Sequence, residues 1–152
     1  MSKRASQRKR GWVEFKGLQF AEAFMSRPEL VKTIHAFFEE HGLVISSKQP
    51  TLRIRFSQSR KPDHAEYGDK VLGWMEPGWM QHDHSLIIVE VVVFIKKHDS
   101  RESFVDTLFH ELDHCAWVLE GRTFDNSDEY WYRPHEVRAR QRGCEWSQRL
   151  SR

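Results

Sequence analysis

Residues 86–95 read Leu-Ile-Ile-Val-Glu-Val-Val-Val-Phe-Ile, the longest apolar run in the chain. Side chains branched at Cβ crowd a helix and suit a pleated strand, so this stretch predicts a largely buried strand. Glu90 interrupts it, and it falls well short of the roughly 18 apolar residues of a membrane span. No membrane association is expected. Leu52, Ile54 and Phe56 alternate with Arg53, Arg55 and Ser57, the period-two pattern of a strand with one wet face. At 152 residues and 39% hydrophobic content, the chain is the usual size for one domain with a real core.

Two helical stretches flank these strands. Phe20, Ala21 and Phe24, then Leu30, Val31, Ile34, Phe37 and Phe38, recur at helical spacing over residues 18–41. Pro28 favours a break there, with a second segment starting at Ser26 or Arg27 and Gly42 ending it. His35 and His41 on this helix read as packed or surface groups. Residues 58–84 lose periodicity and carry Pro62, Gly68, Gly73, Pro77 and Gly78 beside Trp74, Met75, Trp79 and Met80. They predict a long loop or short hairpin that forms one wall of a substrate cleft.

Residues 100–120 predict one amphipathic helix. Phe104, Val105, Leu108, Leu112, Cys115, Ala116 and Leu119 recur every three or four positions. Asp99 is the expected N-cap with Glu102 completing a capping box, and Gly121 the expected stop. Within this helix stands HELDH, His110 to His114. Histidines four apart project from one face a turn apart, the spacing at which two imidazoles share a zinc ion. Glu111 lies slightly round the helix, where its carboxylate can take a proton from a zinc-activated water. The bland alternative makes both histidines surface groups paired with Asp106 and Asp113.

A catalytic zinc needs a third protein ligand and an open position. Downstream, Pro134 suits a helix start, with His135 and Glu136 both on its first turn and both able to bind metal. Their side chains point about 100° apart, so ordinarily only one faces the site. With Tyr132, Pro134, Glu136 and Ala139, residues 86–145 resemble the gluzincin metallopeptidases, and most closely small zincins of phage and mobile-element type. In that family HExxH is followed by a glutamate ligand on a later helix. The resemblance implies a zincin-like α+β fold: a small mixed sheet packed against an HExxH helix and a C-terminal helix. It also implies one zinc per chain on His110, His114 and Glu136, with Glu111 as general base for hydrolysis of a protein or peptide substrate. Asp113 and the arginines of the last helix depart from the family's pattern. Tyr130 and Tyr132 are the first candidates for stabilising the oxyanion, His82 and His84 the second. His82, Asp83 and His84 are a weaker candidate for a second metal, and Cys115 falls on the core stripe of its helix.

The net charge is +2, unevenly spread. Lys3, Arg4, Arg8, Lys9 and Arg10 open the chain, and six arginines lie between Arg133 and Arg152. Between them nine acids face Arg101 and Arg122 over residues 99–129. Residues 1–15 are expected to be a basic flexible tail, and residues 16–152 the single domain. Basic ends can also meet the phosphates of a nucleic acid, which opens a second reading as a nucleic-acid-associated zinc protein. The N-terminus lacks the apolar segment of a secretory signal, and two cysteines are too few for a disulfide scaffold. A cytoplasmic setting is expected.

Overall fold

The computed structural model describes residues 10, 11, 13–42, 44, 45, 52–58, 72–80 and 87–151. In chain order they form β1 (Arg10–Gly11), β2 (Val13–Lys16), α1 (Leu18–Ala21), α2 (Arg27–Glu40), β3 (Val44–Ile45), β4 (Leu52–Ser57), β5 (Gly73–Met80) and β6 (Ile87–Phe94). A 3-10 turn at Ile95–Lys97, α3 (Arg101–Leu119), a second 3-10 turn at Tyr130–Tyr132 and α4 (Pro134–Leu150) follow. The architecture is mixed α and β.

Among the described residues the main sheet has the strand order β2-β4-β6-β5, the first three parallel and β5 antiparallel to β6. Leu52, Ile54, Phe56, Val89, Val91 and Val93 point into the core that α2, α3 and α4 cover. The opposite face explains the charge inside the apolar run. Arg53 lies across from both Glu14 and Glu90 in the parallel register, bonds Glu14 at 2.7 Å, and stands 3.6 Å from Glu90. Arg55 also reaches Glu90, at 3.7 Å. Glu90 therefore ties two strands together rather than ending one.

Several local expectations need correction. The stretch 58–84 contains β5, a full strand hydrogen-bonded to β6, because its apolar residues find a partner edge that Pro77 and Gly78 obscure locally. The tail assigned to residues 1–15 ends too late, since Val13–Lys16 already pairs with β4. The cap of α3 is Ser100, whose hydroxyl accepts a hydrogen bond from the Ser103 amide at 3.1 Å; Asp99 lies one residue outside. The break near Pro28 occurs as expected: Ser26 caps α2 by accepting from the Glu29 amide at 3.3 Å. Gly42 and Gly121, with φ of 74° and 82°, follow the ends of α2 and α3.

No helix among the described residues is long and apolar enough to cross a membrane.

Candidate metal centre

Helices α3 and α4 pack along each other, with Phe109 of α3 stacked on Trp146 of α4 at 4.9 Å. That contact sets the register between HELDH and the first turn of α4. His110 Nε2 lies 3.1 Å from Glu136 Oε1, and His114 Nε2 lies 3.0 Å from Glu136 Oε2. The two imidazoles are 4.9 Å apart and nearly perpendicular. One donor atom from each of the three residues lies within 4.8 Å of the others, so His110, His114 and Glu136 form a possible metal-binding triad. Glu136 reaches it because Pro134 starts α4 and the Glu136 amide bonds the Arg133 carbonyl at 2.9 Å.

The electrostatics separate the two carboxylates of the site. Burial alone would raise the Glu136 carboxyl, but hydrogen bonds from His110 and His114 and their charge outweigh it and hold it far below the usual range. Glu111 makes no such bonds. Burial pushes its carboxyl upward, His110 and His114 pull it partly back, and the Glu136 charge adds to the rise. The two carboxyls are thus shifted in opposite directions, Glu136 down and Glu111 up. For His110, burial works against the charged form, but the bond to Glu136 and the charges of Glu111, Glu136 and Asp106 raise it overall.

A cleft of about 310 Å³ opens beside Glu111 and His110. Leu72 and Gly73 at the start of β5 form one wall, Asp106 and Thr107 of α3 the floor, and Tyr130 the far side. Gly73 is required for this closeness. A Cβ there would lie 2.8 Å from the Val92 carbonyl oxygen, 2.9 Å from Thr107 Cγ2 and 3.6 Å from Glu111 Cγ. Of residues 58–84, Leu72 and Gly73 line this cleft, and 59–71 and 81–84 lie outside the described residues. The imidazole of His98 holds the entry to β5, with Nε2 3.3 Å from the Leu72 carbonyl and Nδ1 2.8 Å from the Ser103 hydroxyl.

The structure distinguishes the two tyrosines. Tyr130 lines the cleft, and its hydroxyl is held protonated, above the usual range, by partial burial and by the Glu136 and Glu111 carboxylates. Tyr132 is 70% exposed and lines no part of the cleft, because the 3-10 turn points consecutive side chains in different directions. His135 is buried beside the triad, 4.5 Å from the Phe124 ring and 5.6 Å from His114, with Nε2 3.8 Å from Glu136 Oε2. Burial lowers its basicity. His82, Asp83 and His84 lie outside the described residues. Cys115 is fully buried, and burial pushes its thiol well above the usual range, as its place on the core stripe implied.

Asp113 does not pair with the triad histidines. It is fully buried and accepts from Arg138 Nε at 2.9 Å, with His41 Nε2 at 3.4 Å. Glu120 closes the network, 3.0 Å from Arg138 and 2.9 Å from His41. Other arginines of the C-terminal stretch are likewise turned onto the protein itself. Arg140 bonds the Trp131 carbonyl and stacks on its ring, Arg142 pairs with Glu145, Arg149 pairs with Glu40, and Arg133 bonds the Asp128 carbonyl. Sequence reasoning weighed Asp106 only as a surface partner of the motif histidines and missed Arg138. Asp106 was within reach of helical spacing, four positions before His110; Arg138 was not, since only the α3–α4 packing brings it to Asp113. Comparison of the chain with protein-family models, with curated proteins and with solved structures finds no match.

Proposed function

We propose that the protein is a zinc-dependent metallopeptidase of zincin type. The observation that carries this reading is the convergence of His110, His114 and Glu136 beside a cleft that His110 and Glu111 line, the Glu111 carboxylate having no ion pair or hydrogen bond among the described residues. The donor set fits the metal: two imidazole nitrogens and one carboxylate oxygen are the ligands a catalytic zinc takes from protein. The fit extends to orientation. Both Nε2 atoms already face the Glu136 carboxylate, and a triad of this burial holds its shape through the α3–α4 packing.

When bound, zinc supplies Lewis acidity, which polarises a carbonyl and makes water acidic near neutral pH. The protein residues divide the remaining work. Glu111, with its raised proton affinity, accepts the proton from the attacking water and passes it to the departing amine. Tyr130, protonated and beside the cleft, donates a hydrogen bond to the developing oxyanion. Glu136 stays ionised and balances the charge of the ligand set.

Metal analysis of purified protein after dialysis tests the reading, with about one zinc per chain expected. Glu111→Gln should keep that zinc and lose hydrolysis of a labelled unfolded protein, because the amide is nearly isosteric but cannot take the proton. Absence of stoichiometric zinc at neutral pH under reducing conditions would overturn it, and so would a Glu111→Gln protein as active as its parent.

A further inference from the structure

The cleft contains a carboxylate that this chemistry leaves unused. Asp106 lies one turn before His110 on α3, on the same face, and both residues line the cleft. On α3 and α4, Asp113 pairs with Arg138, Glu136 meets His110 and His114, and Glu145 pairs with Arg142, while Glu102 lies on α3 away from this cleft. Among the described residues the Asp106 carboxylate has no ion pair or hydrogen bond, and His110 is the charge acting on it. Its space is built in. A Cβ at Gly143 of α4 would lie 2.7 Å from the Asp106 carbonyl oxygen and closer still to Oδ1, so the missing side chain at 143 makes room for the carboxylate. Arg140, one turn away on α4, bonds the Trp131 carbonyl through Nη2 and stacks on that ring, and makes no ion pair with Asp106.

We propose that this end of the cleft is the subsite for a lysine or arginine side chain of the substrate, with Asp106 as its counter-charge. Leu72 and Tyr130 are the apolar side chains left open there, 38% and 52% exposed. The aliphatic stem of a lysine or arginine lies along such surfaces while its head reaches the carboxylate. An apolar substrate side chain in the same place would seal Asp106 from water without a partner, which is costly. An acidic one would meet Asp106 and Glu111 together. A basic side chain is the occupant that satisfies both the walls and the charge.

This inference rests on the peptidase reading, and a binding measurement separates the two. The probes are three octapeptide libraries, randomised except for a fixed fourth residue that is arginine, its neutral isostere citrulline, or glutamate. Binding is measured to Glu111→Gln protein with zinc present, and cleavage of the same libraries by the parent. The arginine library should bind about tenfold tighter than the citrulline library. Adding Asp106→Asn, an isosteric change at an accessible position, should bring the two within about twofold. Asp106→Arg should turn the preference toward the glutamate library. Equal binding of arginine and citrulline, or a preference that survives Asp106→Asn, would overturn the subsite. A preference that depends on Asp106 without any cleavage by the parent would keep the subsite and remove the peptidase reading.

Discussion

His135 and Glu136 are adjacent, both buried and both able to bind a metal, yet they have different surroundings. Glu136 is met by two imidazole nitrogens, whereas His135 packs between Phe124 and Trp117. Glu136→Ala should therefore lose most zinc and all activity. His135→Ala should keep zinc and some activity while losing about 1–3 kcal/mol of stability from the vacated aromatic pocket. Metal analysis and thermal unfolding of the two variants check this, and the reverse zinc pattern would make His135 the ligand. At this scale the sequence was informative where chemistry follows from local spacing, as with His110, Glu111 and His114. It was silent where a partner comes from another element. Asp113 looked like an unexplained charge inside the motif because Arg138 and His41 reach it only after α2, α3 and α4 have packed.

Elements carry the next level of argument. Helix α3 was legible because its apolar stripe and its capping chemistry agree; the one-residue error at the cap arose because Asp99 and Ser100 are equally good capping types, and the backbone alone selects Ser100. Strand β5 was harder, because pairing with β6 overrides a local pattern broken by proline and glycine. Its approach to α3 is tight at Gly73, so Gly73→Ala should cost about 1–3 kcal/mol by overpacking and lower kcat while zinc content holds, since Glu111 rather than the triad borders the added methyl. Glu120, in the ion-pair network that joins α2, α3 and α4, titrates as well. Burial would raise the Glu120 carboxyl, but bonds from His41 and Arg138 depress it below its ordinary 4.5. A depressed carboxyl contributes stability above its unfolded value and loses it as pH falls through the folded value. Glu120→Gln should then cost about 1 kcal/mol at neutral pH, and the gap from the parent should close below pH 4.5, as thermal unfolding across pH would show.

For the molecule as a whole, the sequence indicated mixed α and β structure around one core, but not how the strands are ordered. Strand order depends on pairings between distant segments, such as Arg53 with Glu90, that no local pattern encodes. The triad joins α3 to α4, so a ligand that binds all three donors stabilises the packed state by mass action. Zinc at about a hundred times its Kd should raise the unfolding midpoint by roughly 5–10 °C, and a chelator should reverse it. Glu136→Ala should abolish that shift.

The buried pair of Asp113 and Arg138 reaches further than either residue. Losing Arg138 strands the fully buried Asp113 carboxylate, at a cost of about 3–5 kcal/mol, whereas losing Asp113 leaves Arg138 on Glu120, and replacing both with apolar groups of similar volume can be nearly neutral. Selection would then act on the two positions together. Among descendants of a common ancestor, an acid at 113 should seldom be found without an arginine at 138, while an arginine at 138 can outlast the acid by keeping Glu120.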